Sequence, residues 1–208
     1  MCHSFKRFIL DIDDTLYLER DYVLSGFRAV GEAIRLPRFG EICWDLFLSG
    51  VRGNTFDLAR ERLATSDIPD TETLVQIYRS HVPKIALCDD ARRFLESRIE
   101  PVAMISDGAL IAQRAKFQAL NLVPWIDYPI FTEEIGAPKP SIRPFYIARM
   151  ALDVEPESIA YIADNPKKDF DGARKLGIAS IRIRRRQSLH ENEETPNFAR
   201  EITSFDEL

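Results

Sequence analysis

Residues 8–16 read FILDIDDTL, an apolar run that ends abruptly in three aspartates and a threonine. Phe8, Ile9 and Leu10 predict the buried body of a strand, and Asp11, Asp13 and Asp14 crowd together where it stops. Carboxylates packed this closely repel one another and lose hydration, so a cation or a proton has to offset them. Thr15 and Leu16 then turn the chain away. An acidic cluster at the C-terminal end of a strand lies where open α/β sheets bind ligands.

Working outward, five short apolar runs predict strands of one buried sheet: Phe8 to Asp11, Val102 to Ser106, Ile126 to Thr132, Ile159 to Asp164 and Ala179 to Ile183. From residue 86 onward they alternate with helical patterns, ALIAQRAKFQAL, PSIRPFYIARM and PKKDFDGARKLG. That alternation predicts βαβ units, hence an α/β fold with a doubly wound parallel sheet. Pro140 and Pro166 fit the first turns of their helices, and Gly177 is placed to stop the last. Residues 17–85 break the pattern. Tyr22, Val23, Phe27, Val30 and Ile34 keep helical spacing, as do Phe39, Ile42, Cys43, Leu46 and Phe47, and then Leu74, Ile77, Tyr78 and Val82. A crossover needs only about a dozen residues, so 17–85 is expected to be a small all-helical cap subdomain. Residues 1–16 and 86–208 then form the α/β core. A cap leaving the sheet beside the acids is positioned to exclude water from them.

The 208 residues are 45% hydrophobic and 29% charged, as in globular proteins, with a formal charge of −5. With a pI near 5.4, that balance argues against nucleic acid or an anionic membrane as partner. Cys2, Cys43 and Cys88 are isolated, with no CxxC pair, which predicts free thiols and a cytoplasmic location. MCHSFKRF holds no long apolar region, so neither leader nor membrane span is expected. His3, His81 and His190 lie far apart, which disfavours a histidine metal site or a serine–histidine triad.

Four predicted strand ends or the loops after them carry polar residues: Asp11 and Asp13; Ser106, Asp107 and Gly108; Lys139 in IGAPKPS; and Asp164 with Asp169 in IAYIADNPKKD. Parallel strands bring these ends to one sheet edge. Several carboxylates, an ammonium, a hydroxyl and a glycine turn suit Mg²⁺ with a phosphate, and an aspartate can serve as a phosphoryl-accepting nucleophile. A calcium loop would need glycine and glutamate where Leu16 and Tyr22 stand.

In this order DIDDT, ISDG, APKP and ADNPKKD resemble the four motifs of the haloacid dehalogenase superfamily, and the helical insertion resembles the cap of its small-molecule phosphatases. The resemblance runs from about Phe8 to Ile183. It implies Asp11 as nucleophile and Asp13 as the acid–base. Asp11, the carbonyl of Asp13 and Asp164 would hold Mg²⁺. Ser106 and the following amides of Asp107 and Gly108 would bind phosphate, with Lys139 bridging phosphate and nucleophile. Asp169 would orient Lys139 or a metal-bound water. Asp14 and Thr15 would stabilise the turn, Thr15 adding backbone contacts to the substrate. Ala163 and Asp107 depart from the motifs' usual glycine and asparagine.

Other polar residues have plainer readings. Asp13 and Asp14 could cap the first cap helix, and Asp89 and Asp90 suit a helix N-terminus. Lys167 and Lys168 are expected to be solvated, as are Arg182, Arg184, Arg185 and Arg186 at the end of an edge strand. The tail HENEETPN reads as a solvated loop, with a short edge element or helix over 202–208. Arg20 near the cap hinge, and Arg52 and Asn54 in SGVRGNTF, are candidate leaving-group contacts, with an interhelical loop and a helix cap as the alternative. The expected activity is a Mg²⁺-dependent phosphomonoesterase for a small phosphorylated metabolite such as a sugar, polyol or nucleotide monophosphate, acting as monomer or homodimer. A phosphomutase, or a catalytically silent metabolite-binding protein on the same fold, is the alternative. Dehalogenation fits less well, because a halide needs no proton from Asp13.

Overall fold

The computed structural model describes residues 5–63 and 67–208, so Cys2 and His3 lie outside the described residues. The chain divides into two compact units, Met1–Glu19 with Ala86–Leu208, and Arg20–Ile85.

The first unit is built on a six-stranded sheet in the order β3-β2-β1-β4-β5-β6. The strands are β1 (Arg7–Leu10), β2 (Val102–Ser106), β3 (Tyr128–Phe131), β4 (Ile159–Ala163), β5 (Ala179–Ile183) and β6 (Arg200–Ile202), and every pairing is parallel. Leu10 pairs with Met104 on one side and Ile162 on the other, so β1 is central. Successive strand side chains alternate between the two faces, and both faces are covered. On one, Ile9, Ala103, Ile105 and Tyr161 form a core with Phe145 and Ala148 of α7 (Arg143–Leu152) and Phe170 and Ala173 of α8 (Phe170–Lys175). Phe145 meets Tyr161 edge-on at 4.9 Å. On the other, Phe8 packs edge-on to Phe94 of α5 (Asp89–Glu96) at 5.0 Å, and Phe94 lies 4.7 Å from Phe205 of a C-terminal 3₁₀ turn. The sheet is thus doubly wound, as its near-continuous apolar strands require.

The second unit holds α1 (Glu19–Ala33) from Arg20 onward, α2 (Pro37–Leu48), α3 (Thr55–Leu63) and α4 (Thr71–Ser80). Its core is aromatic. Phe27 meets Phe56 edge-on at 5.9 Å, Phe39 stacks on Phe56 at 6.1 Å, and Tyr22 meets Tyr78 edge-on at 5.5 Å. Asp70 caps α4 by accepting the Thr73 N–H at 2.8 Å.

Several local readings change. Pro140 and Pro166 precede their helices: α7 carries Pro144 in its first turn, and α8 begins at Phe170. The cause is the same in both places, because the loops bearing Lys139 and Asp164 need an extra turn before helix can start. β5 is not an edge strand, since β6 lies outside it. Arg182 and Arg185 are therefore not solvated but buried, at 1% and 7% exposure. Residues 200–207 supply both an edge strand and a 3₁₀ turn. No helix of the described residues is long and apolar enough to cross a membrane.

Candidate active site

Because β2, β1 and β4 are neighbours, the loops after them meet at one sheet edge. Asp11 follows β1 directly, its N–H donating to Ile162 O at 2.9 Å, and it is buried. Lys139 reaches it from the loop after β3. The Nζ of Lys139 donates to Asp11 Oδ1 at 2.7 Å and to the Tyr161 hydroxyl at 3.1 Å, and lies 2.6 Å from Asp169 Oδ1. Burial alone would depress this ammonium, but Asp11 and Asp169 more than offset it and keep Lys139 firmly charged. Asp169 also accepts the Asn165 N–H at 2.9 Å, so it is fixed from two sides.

Asp164 stands apart. Among the described residues its carboxylate accepts no hydrogen bond, and Oδ2 is buried without a partner. Burial, reinforced by Asp11 and Asp14, pushes Asp164 up to about 10. Asp11 is pushed up to about 7 by burial, against the pull of Lys139. One carboxylate oxygen from each of Asp11, Asp164 and Asp169 lies within 4.8 Å of the others. An unpaired buried carboxylate oxygen beside a second acid is a hard-oxygen set that fits a divalent cation. Asp169 is already held by Lys139 and Asn165, which leaves Asp11 and Asp164 as the side chains able to ligate.

Asp13, two residues on, has a separate set of partners. Lys116 of α6 (Leu110–Ala119) donates to its two oxygens at 2.7 and 2.9 Å, Gln113 donates at 3.2 Å, and the Tyr17 hydroxyl also bonds to it. Burial raises Asp13, but the Lys116 charge and these bonds outweigh it and hold the carboxyl below its usual range. Ser106 is buried, its hydroxyl donating to Gln113 Oε1 at 2.8 Å. Gln113 therefore links Ser106 to Asp13. Gly108, at φ +123, has the same side chain against it: a Cβ there would stand 2.7 Å from Gln113 Nε2. Only glycine suits that backbone and that approach. Asp107 accepts from Thr132 Oγ1 at 2.7 Å and Lys139 N at 3.1 Å, joining the β2 loop to the loop of Lys139.

Asp14, at φ 50, bonds to Glu19 N at 2.8 Å and Leu189 N at 2.7 Å, a turn residue as expected. The Thr15 hydroxyl is buried without a hydrogen-bond partner among the described residues, and Thr15 O accepts from Arg185 Nε at 2.7 Å. Arg20, Arg52 and Asn54 belong to the second unit. There Arg20 lies over Trp44 at 5.5 Å, and Arg52 lies over Phe47 at 4.0 Å and donates to Phe47 O at 2.7 Å. Asn54 offers its carbonyl to Leu58 N at 3.2 Å.

Sequence reasoning missed Lys116 and Gln113. They sit one turn apart in α6, so they share a face, which was the available signal. Lys168, read as solvated, places its ammonium 3.3 Å from Asp107 Oδ2, because the turn after Asp164 folds back towards the β2 loop. Asp90 does more than serve helix polarity: it is paired with Arg185 at 3.0 Å.

The chain resembles characterised enzymes. It is 27% identical to a glyceraldehyde 3-phosphate phosphatase of Methanocaldococcus jannaschii, the match covering 86% of this chain and 84% of that one. A 31% identical stretch of a phosphoserine phosphatase of Thermus thermophilus covers 46% of this chain and 39% of that enzyme, so there the similarity spans well under half of the relative. In fold it matches the magnesium-bound HAD-hydrolase YfnB of Bacillus subtilis, with a TM-score of 0.70 at 18% identity, covering 98% of this chain and 96% of that one. The family model of haloacid dehalogenase-like hydrolases matches residues 5–177. With that match over most of its length, this chain belongs to the haloacid dehalogenase-like hydrolases.

Proposed function

We propose that this hydrolase is a Mg²⁺-dependent phosphomonoesterase that works through an aspartyl-phosphate. The observation carrying it is the buried Asp11–Lys139–Asp169 arrangement beside an unpaired Asp164 carboxylate. Lys139 holds Oδ1 of Asp11, and the other oxygen is the nucleophile. It forms a bond to phosphorus as the ester P–O bond breaks, and the departing alkoxide takes the proton that Asp13 carries into this step against the bias of Lys116. Asp13, now ionised and favoured in that form by Lys116, takes a proton from the water that attacks phosphorus. The P–O bond to Asp11 then breaks and phosphate leaves. Ser106 and the backbone amides of Asp107 and Gly108 hold phosphate oxygens, since the Asp107 carboxylate is engaged elsewhere. Asp11, the Asp13 carbonyl and Asp164 would hold Mg²⁺, which when bound neutralises charge on the transferring group. Thr15 adds a contact from its unpaired hydroxyl or its backbone.

The substrate is read as a small phosphorylated metabolite, in line with the relatives named for glyceraldehyde 3-phosphate and phosphoserine. Residues 17–85 are read as the cap subdomain. Arg20, Arg52 and Asn54 are the first positions to substitute for leaving-group selectivity. A panel of those two esters, sugar phosphates, polyol phosphates and nucleotide monophosphates should show Mg²⁺-dependent phosphate release that Asp11→Asn abolishes. Equal release by wild type and Asp11→Asn would refute the nucleophile, and equal release in chelator would refute the cation.

A further inference from the structure

The family match ends at residue 177, yet the two acidic loops of the site are tied down by residues beyond it. Among the described residues Arg182 in β5 is the largest fully buried side chain by residue volume, at 1% exposure. Its guanidinium uses four of its five N–H groups: Nε donates to Asp164 O at 3.0 Å, Nη1 to Glu193 O at 2.6 Å and Thr195 Oγ1 at 2.8 Å, and Nη2 to His190 O at 2.6 Å. The same turn touches the next residue, with Asn165 Nδ2 and His190 Nε2 2.8 Å apart. Across the site, Leu189 N donates to Asp14 and Arg185 Nε to Thr15 O, both at 2.7 Å. One segment, 182–195, therefore grips the loop of Asp11 and the loop of Asp164 together.

The grip matters most at Asp164, whose carboxylate no side chain or amide of the described residues holds. Its aim is set by its backbone, and its backbone carbonyl is held by Arg182. We propose that Arg182 is a positioning residue: by fixing the Asp164 carbonyl against the 190–195 turn, it places the Asp164 carboxylate relative to Asp11 and so sets the affinity for a divalent cation. This rests on the cation reading above. Lysine cannot substitute, because three donors on one nitrogen cannot reach acceptors spread around a planar fork.

The test is calorimetric titration of Mg²⁺ into the metal-free full chain, with melting temperatures alongside. Removing an outer partner of a metal ligand typically weakens metal binding about 10- to 100-fold. Arg182→Lys should raise the Mg²⁺ Kd by that factor, while KM for the phosphate ester at saturating Mg²⁺ stays within about twofold of wild type. Thr195→Val, which loosens the far side of the same guanidinium from a half-buried loop position, should raise Kd several-fold and decides the matter if Arg182→Lys does not fold. A purely structural role would lower the melting temperature and the number of filled sites while leaving Kd at the wild-type value, and that result overturns the proposal. A wild-type protein that takes up no Mg²⁺ overturns the cation reading and this inference with it. Mg²⁺ uptake by wild type with unchanged Kd in the folded variants overturns this inference alone.

Discussion

The Nζ of Lys116 sits 2.7 and 2.9 Å from the two oxygens of Asp13, so the acid two residues after Asp11 is held as a buried ion pair with α6. An acid that must give up and regain a proton in each cycle is thereby biased towards its ionised form. Lys116→Met removes that bias and leaves burial to raise Asp13. A proton donor works below its pKa, so the basic limb of kcat/KM controlled by Asp13 should move to higher pH. A pH–rate profile superimposable on wild type would dissociate Lys116 from the chemistry.

Metal uptake should release protons. Asp164 stands at about 10 and Asp11 at about 7 in the metal-free protein, both above the ordinary 3.8. At pH 8 the first is protonated and the second mostly ionised, so about one proton should leave per Mg²⁺ bound. Titration in buffers of different ionisation enthalpy measures that number directly. The same two groups bind more protons in the native state than in the unfolded chain. Metal-free stability should therefore fall as pH rises from about 4 towards about 10, and Mg²⁺ should flatten the slope.

The opposite sign holds at Asp90. Burial raises its carboxyl, but bonds from Arg185 and the Phe205 N–H outweigh this and hold it below the usual range. Its stabilisation is present above the ordinary carboxylate pKa and is lost as pH falls through the native one. Asp90→Asn should cost about 2 kcal/mol at neutral pH and make the acid limb of the melting curve shallower below the ordinary carboxylate pKa. Parallel acid limbs in the two proteins would show that the pair with Arg185 contributes nothing.

Gly40 of α2 lies against the backbone of α1, where an added Cβ would come 2.4 Å from Phe27 O. Backbone cannot yield as a flexible side chain can. Gly40→Ala should destabilise by about 1–3 kcal/mol, read by denaturant midpoint. No change in midpoint would mean that the helices separate at no cost.

The fold was legible because burial on both sheet faces writes strands as unbroken apolar runs, and four of the five runs end in, or lead into a loop with, a polar residue singled out for the site. Asp11, Ser106 and Asp164 were found that way, as residues interrupting a pattern. Lys116 interrupts nothing. In ALIAQRAKFQAL it reads as an ordinary solvent-facing lysine, and only the fold supplies the carboxylate that keeps it buried. Arg182 and Arg185 were misread for a related reason. Four arginines in five residues look like a charged edge, until a later strand covers β5, the carbonyls of His190 and Glu193 accept from Arg182, and Thr15 O and the Asp90 carboxylate accept from Arg185. Strand ends are local information, whereas the partners of buried charges are set by segments far away in sequence.

The central position of β1 has a consequence for how the molecule comes into being. Leu10 pairs with Met104 and Ile162, so β1 is synthesised before either of its partners and waits for them. Such non-local pairing slows folding, and during synthesis FILDIDDTL has no neighbours on either edge. The acids that follow Leu10 are then fully hydrated, and their mutual repulsion opposes early collapse or self-pairing of this apolar run. The residues read here as catalytic would thus also guard the nascent chain, before there is any site for them to serve.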